Sequence, residues 1–298
     1  MLDYIKLLRP VNCVMSIFAV FIGGLLVSDI TLLVTTTPIY IAMIAAFLIT
    51  GAGNVINDYY DIDSDKANRR NRPLATDRIS KSAGLWFSII LFLIGITLAL
   101  TLNTIYPLII AAFNSFLLII YARSLQNKTL LGNLAVSYLV GSTFLFGGAA
   151  MGNMTLPFIF FVLAMLANVA REIVKDLEDL EGDTKSFLKR ASSKVKDKLA
   201  ERFKITRDGT KLKYSERKAK STAQIALVGA ILVSPVPYLI GLVGLSYIGI
   251  VWITDILFLY IIYRIPKAKK KKDYSKLSKK IKIGMFIGLL AFIIGALV

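Results

Sequence analysis

The chain has 298 residues, of which 56% are hydrophobic and 18% are charged. Soluble globular domains are about 45–50% apolar and about 25% charged, so this composition excludes an ordinary soluble fold and favours a membrane domain. There is no histidine and a single cysteine, Cys13, which excludes histidine-based catalysis, the usual zinc sites and an intrachain disulfide.

Apolar segments long enough to cross a membrane as helices recur along the whole chain. A span needs about 20 apolar residues, and nine segments qualify: 11–29, 38–57, 84–102, 104–122, 131–149, 156–175, 221–241, 246–263 and 281–298. We therefore predict a single all-α transmembrane domain over residues 1–298.

The charges predict the orientation of these spans. The net charge is +17, from 36 Lys and Arg against 19 Asp and Glu. With nine spans, all 36 basic residues fall on one side, at the N-terminus, in the adjoining helix ends and in the connections 58–83, 123–130, 176–220 and 264–280. The positive-inside rule then predicts a cytoplasmic N-terminus. Attraction to anionic lipid headgroups explains the basic runs better than nucleic-acid binding does.

Two acidic clusters follow the second and sixth predicted spans. They are NDYYDIDSD at 57–65 and REIVKDLEDLEGD at 171–183. At 100° per residue, Asn57, Asp61 and Asp65 share one face of a helix. The same geometry places the main carboxylates of the second cluster within a narrow arc: Asp176, Asp179 and Asp183. Carboxylates so close together repel one another unless cations join them.

Oxygen ligands without histidine or cysteine favour Mg²⁺ over zinc or copper. If the oxygen ligands of the two clusters face each other, they would hold two Mg²⁺ ions, with a diphosphate bridging the ions. A calcium loop of the EF-hand type fits less well, because the glycine and the closing glutamate that follow Asp61-x-Asp63-x-Asp65 in such a loop are missing. A solvated acidic helix end would explain one cluster, but it explains two matched clusters poorly.

Several segments of the sequence resemble motifs of a known family. Besides NDYYDIDSD and KDLEDLEGD, they are RPVN at 9–12, NRPL at 71–74 and YARSLQNKTLLGN at 121–133. Over nearly its full length the chain resembles the UbiA superfamily of intramembrane prenyltransferases, and within it most resembles the archaeal digeranylgeranylglyceryl phosphate synthases. The resemblance implies nine helices around a central cavity, capped by the cytoplasmic 2–3 loop (58–83) and 6–7 loop (176–220).

The resemblance also implies roles for individual residues. The expected ligands of Mg²⁺, which would bind a prenyl diphosphate through two ions, are Asn57, Asp61, Asp65, Asp176, Asp179 and Asp183. Those expected to be catalytic are Asp61, Asp65, Asp179 and Asp183. Those expected to bind substrate are Arg9, Asn12, Arg70, Arg72, Tyr121 and Lys128.

Three features depart from the family pattern or stand outside it. Family members often have a lysine five residues after Tyr121, where this chain has Gln126, so that Lys128 is the candidate substitute. The 6–7 loop contains an insertion at about 187–209, whose run SSKVKDKLAERF predicts a basic amphipathic helix that covers the site, lies on the membrane or is solvated. Asp255 lies within the eighth span and is a functional candidate or a polar packing residue.

The resemblance, together with the two acidic clusters, implies Mg²⁺-dependent transfer of a geranylgeranyl group from geranylgeranyl diphosphate to geranylgeranylglyceryl phosphate. The product carries the second ether bond of an archaeal membrane lipid, and the active site faces the cytoplasm in a multi-pass cell-membrane protein. Two alternatives stay open: prenylation of an aromatic quinone precursor, and cation transport. Transport favours ionisable groups near mid-membrane, whereas both acidic clusters lie at one interface.

Overall fold

The computed structural model describes residues 2–67, 71–126, 129–190 and 209–297. Within these ranges all regular secondary structure is helical, which confirms the predicted all-α class. The described chain forms two compact units, the first running to Val162 and the second covering Leu163–Gly295.

The first unit contains most of the helices. Asp29 and Ser80 each cap one, because their side chains accept the N–H groups of Leu32 and Ala83 at the helix N-termini. The helices are α1 (Leu2–Leu8), α2 (Pro10–Leu25), α3 (Ile30–Thr35), α4 (Thr37–Tyr60), α5 (Ile62–Ala67), α6 (Lys81–Leu100), α7 (Ile105–Ile120), α8 (Thr129–Ala150) and the start of α9 (Thr155–Arg190).

The second unit continues α9 and adds α10 (Gly209–Val233), α11 (Val236–Leu239), α12 (Leu245–Arg264) and α13 (Lys271–Leu297). Pro235 separates α10 from α11, since proline has no N–H to continue a helix, and Pro237 lies in the first turn of α11. Ser234 precedes the break; its hydroxyl donates to Asp255 Oδ2 at 2.7 Å, and its carbonyl accepts from Tyr247 at 2.6 Å. The intramembrane carboxylate therefore contacts a helix break, which favours the packing role for it.

Seven of the described helices are long and apolar enough to cross a membrane: Thr37–Tyr60, Lys81–Leu100, Ile105–Leu125, Leu130–Ala150, Thr155–Glu178, Glu216–Leu239 and Leu245–Lys267. The pair α1 and α2, bent by 50°, brings the number to as many as eight. The chain is therefore a multi-pass membrane protein. The ninth segment lies in α13, and both the count of nine and the cytoplasmic N-terminus stay predictions.

Helices α2 and α8 pack with their backbones in contact. A Cβ atom added at Gly23 would lie 2.0 Å from the carbonyl oxygen of Phe144, and one added at Gly147 would lie 2.0 Å from that of Val20. Only glycine fits at these two positions, as is common where membrane helices approach closely.

Helix α9 is longer than the sixth predicted span. The helix has 36 residues in all and ends at Arg190, so the second acidic cluster lies on a helix that extends beyond the apolar segment. Much of the predicted 6–7 loop is therefore helical, at 176–190 and again from Gly209. The predicted amphipathic helix in the insertion lies outside the described residues.

Candidate functional site

The first acidic motif lies where α4 ends and α5 begins. Helix α4 stops at Tyr60, yet the N–H of Asp61 still donates to the carbonyl of Asn57 at 3.0 Å. The N–H of Asp65 likewise donates to the carbonyl of Asp61 at 2.7 Å. Helical spacing therefore continues through the junction, and the three motif residues keep the one-turn separation that the sequence predicts.

Asp58 is the centre of a buried ion-pair network beside this motif. Its side chain is 3% exposed, and its Oδ1 accepts from Arg9 Nη2 at 2.5 Å and from Arg72 Nη1. Arg72 also places its Nε 3.2 Å from Oδ2 of Asp65, a carboxylate that is 2% exposed. A buried carboxylate is stable only when it is paired and hydrogen-bonded. The two carboxylates therefore hold two arginines that come from separate sequence motifs.

Arg9 reaches this network from the bend between α1 and α2. Its backbone has a φ of 51°, in the left-handed region that residues other than glycine rarely adopt. The carbonyl of the preceding Leu8 accepts from the side chains of Asn54 at 2.8 Å and Cys13 at 3.1 Å. These contacts offset the strain of the left-handed backbone. The bend directs the guanidinium of Arg9 towards Asp58 and Asn57, and Arg9 Nη2 lies 3.2 Å from Oδ1 of Asn57.

Gln126 connects two residues of the first motif. It follows a π-helical turn, Tyr121–Leu125, and its N–H donates to the carbonyl of Tyr121 at 3.0 Å. Its Oε1 accepts from Asn57 Nδ2 at 2.9 Å, and its Nε2 donates to Asp61 Oδ1 at 2.7 Å. Single π turns inside helices are frequent at functional sites because they redirect side chains. A chain of hydrogen bonds therefore runs from Arg9 through Asn57 and Gln126 to the carboxylate of Asp61.

The structure brings together most of the predicted site residues that belong to the first unit. Asn57, Asp61, Asp65, Arg9 and Arg72 are joined directly or through Asp58 and Gln126. Two further predicted residues lie close by in the chain: Asn12, whose amide is 3.5 Å from Oδ1 of Asn54, and Tyr121, which begins the π turn. Their roles as substrate ligands stay predictions.

The remaining predicted residues are less fully described. Asp176 is half-buried on α9, whereas Asp179 and Asp183 are described through their helical backbone alone. Arg70 and Lys128 lie outside the described residues. Among the described side chains, no group of three or more Asp, Glu, His or Cys is close enough together to hold a metal ion. The identity of the metal ligands therefore stays a prediction, and so does the expectation that the carboxylates of the two acidic motifs face each other.

Sequence reasoning missed two members of the network as site residues, Asp58 and Gln126. The sequence carried a signal for Asp58: it lies three residues after the apolar Val55, and residues at that spacing share a helix face. The structure shows that Val55 is fully buried. Gln126 stood out only as a departure from the family pattern. Its contacts depend on the π turn, for which the sequence carries no signal that we can identify.

Comparison with known proteins identifies the family. A model described as the UbiA prenyltransferase family matches residues 16–290. The chain belongs to the UbiA prenyltransferase family.

Two similar relatives of this UbiA protein are both named digeranylgeranylglyceryl phosphate synthase. The one from Methanosarcina mazei is 38% identical, over 98% of this chain and 97% of its own. The one from Methanococcoides burtonii is 40% identical, over 99% of this chain and 100% of its own.

Solved structures agree with this assignment. One, described as giving insights into the biosynthesis of digeranylgeranylglyceryl phosphate synthase in membranes, is 35% identical to this UbiA protein. It has a TM-score of 0.82 and covers 99% of this chain and 98% of its own. A UbiA homolog from Archaeoglobus fulgidus bound to GPP and Mg²⁺ has a TM-score of 0.63 at 15% identity, over 97% and 99% of the two chains. The second similarity supports the fold alone.

Proposed function

We propose that this UbiA prenyltransferase transfers a geranylgeranyl group from geranylgeranyl diphosphate to the hydroxyl of geranylgeranylglyceryl phosphate. The end-to-end similarity to relatives named for the product of this reaction supports the choice of acceptor. The observation that carries the proposal is the network at Asp58, which presents two arginines and the first acidic motif at one helix end. Such a site suits a substrate whose reacting end is a diphosphate.

The arginines supply donors for phosphate oxygens. A guanidinium has five N–H groups in a planar fork, so one edge can bind a carboxylate while another binds a phosphate. Asp58 orients Arg9 and Arg72 before the substrate arrives, because it is buried and accepts from both. Groups that are oriented in advance stabilise a departing anion without the cost of reorganisation during the reaction.

The oxygen atoms of the first motif fit a hard divalent cation. Asn57, Asp61 and Asp65 would hold Mg²⁺, with Gln126 fixing the orientation of the Asp61 carboxylate through the hydrogen bond at 2.7 Å. For the second motif we keep the proposal that it adds ligands for a second ion: Asp176, Asp179 and Asp183. Bound Mg²⁺ would neutralise the negative charge that develops on the diphosphate as it leaves.

The transfer breaks the allylic C–O bond of the donor and forms a C–O bond to the acceptor oxygen. The bonding electrons leave with the diphosphate, and the acceptor hydroxyl loses its proton to a base, for which the motif carboxylates are the candidates. The prenyl chain would lie among apolar helices, where exclusion of water protects the electron-deficient carbon from hydrolysis. By the positive-inside rule, we place this site on the cytoplasmic side.

The decisive experiment incubates purified protein with radiolabelled geranylgeranyl diphosphate, Mg²⁺ and one acceptor at a time. Labelled ether lipid with geranylgeranylglyceryl phosphate, and its loss on chelation, is the expected result. Labelled product only with aromatic acceptors would assign the enzyme to quinone-type prenylation. Cation flux in liposomes without prenyl turnover would favour transport instead.

A further inference from the structure

A cleft of about 230 Å³ lies in the second unit, where α12 ends and α13 begins. The buried residues Ala268 and Leu277 line it. Its remaining walls are dominated by basic side chains beside one aromatic ring: Arg264, Lys267, Lys276, Lys280 and Tyr260. This basic cleft contains none of the residues assigned to prenyl transfer.

Tyrosine rings support two of the lysines of the basic cleft. Lys280 Nζ is 4.9 Å from the centre of the Tyr260 ring, and Lys267 Nζ is 3.5 Å from the centre of the Tyr263 ring. Cation–π contacts of this kind stabilise an ammonium group, but they leave its charge in place. The lysines are therefore held in position as cations.

The basic cleft carries more positive than negative charge. Asp273 is the carboxylate that lines it, beside four cationic side chains. The N–H groups of Lys269 and Lys270 donate to its Oδ2 at 3.4 Å and 3.1 Å and lower the pKa of Asp273, so this group is already ionised at neutral pH. One carboxylate cannot balance four cations, and like charges confined to one cleft repel unless an anion joins them.

The position of the basic cleft along the helices points to the chemistry of that anion. The apolar span Leu245–Lys267 ends at the cleft, and Tyr260 and Tyr263 lie in its last turns, where aromatic residues mark the membrane–water interface. Lipid phosphates lie at this level, and basic pockets between membrane helices bind anionic head groups. We propose that the basic cleft binds the phosphate of an anionic membrane lipid.

The test measures lipid binding to the full-length protein in micelles, by titrating phosphatidylglycerol and following the melting temperature and the lipid retained in native mass spectrometry. Replacing Lys276 and Lys280 together by glutamine should weaken phosphatidylglycerol binding about 30-fold, since each lysine that contacts the bound phosphate should contribute about fivefold. The matched control replaces Lys269 and Lys270 by glutamine. It removes the same charge from exposed positions that do not line the cleft, and we expect less than about a fivefold change.

Three results would overturn the proposal. Equal losses in the two double variants would show diffuse attraction, and unchanged binding in Lys276→Gln/Lys280→Gln would show that the basic cleft does not bind lipid. Stabilisation by inorganic phosphate or pyrophosphate equal to that by phosphatidylglycerol, at the same concentration, would show a site for free anions. If the double variant does not fold, the exposed Lys276→Gln alone should still weaken binding about fivefold.

Discussion

Asp58 in the first unit and Asp273 in the second are both carboxylates among basic residues, yet they are held in different ways. Asp58 is 3% exposed and accepts from two guanidiniums that come from distant parts of the chain. Asp273 lies at the start of α13 and accepts from the backbone N–H groups of the residues just before it. The first therefore organises tertiary structure, whereas the second caps one helix. This difference predicts how strongly each region should respond to mutation.

The largest effect should come from the motif that Asp58 supports. In Asp61→Asn, prenyl transfer at saturating Mg²⁺ should fall about 1,000-fold because a proposed metal ligand is lost, and the melting temperature should hold because the amide can keep the hydrogen bond from Gln126. Asp183→Asn should behave in the same way. Radiolabelled transfer and thermal unfolding in detergent measure the two quantities.

The control for this pair is Asp63→Asn, an exposed carboxylate in the same segment that should keep its activity. Full activity of Asp61→Asn or Asp183→Asn in the presence of a chelator would remove metal-assisted transfer.

The next largest effect should come from replacing Asp58 itself. Asp58→Asn leaves two arginines without their shared carboxylate, and removing one partner of a buried ion pair costs about 3–5 kcal/mol. We expect a loss of stability towards the low end of that range and about a hundredfold loss of prenyl transfer. Denaturant unfolding and transfer assays measure them.

Asp77→Asn is the matched control, because Asp77 forms an exposed ion pair with Lys66 at 3.0 Å and such pairs contribute about 0–1 kcal/mol. Equal destabilisation in the two variants would contradict the view that burial distinguishes Asp58.

The sequence predicted the local geometry of the first unit better than its long-range contacts. Periodicity and apolar length were enough to predict the helices and the spacing of Asn57, Asp61 and Asp65, because these follow from local geometry. The pairing of Arg9 with Asp58 depends on a left-handed backbone at the bend, and the contacts of Gln126 depend on a π turn. Both features depart from regular α-helical geometry and depend on tertiary packing, so no periodic pattern in the sequence predicts them.

A smaller effect is expected at Gln126, where the kinetics should show whether the side chain positions Asn57 and Asp61 or binds the substrate itself. Gln126→Leu removes the bridge between Asn57 and Asp61, and two lost hydrogen bonds should lower kcat about tenfold while KM for the donor changes less than about threefold. Steady-state kinetics with varied geranylgeranyl diphosphate measures the split. Ser124→Ala is the control, since its exposed hydroxyl donates to the carbonyl of Ile120 one helical turn before it, away from the motif residues joined by Gln126. A raised KM with unchanged kcat would mean that Gln126 binds substrate instead.

The smallest effect should come from Asp273, and it should depend on pH. Because the N–H groups of Lys269 and Lys270 lower its pKa in the folded state, the carboxylate contributes stability above the unfolded pKa of about 3.9, and that contribution disappears as the pH falls through the folded value. Asp273→Asn should therefore lower the melting temperature by about 1–2 °C at pH 7 and by less near pH 4. A difference that grows towards acid would contradict the capping role. The same variant removes the carboxylate beside the basic cleft, so phosphatidylglycerol should bind about fivefold more tightly even as the helix loses its cap.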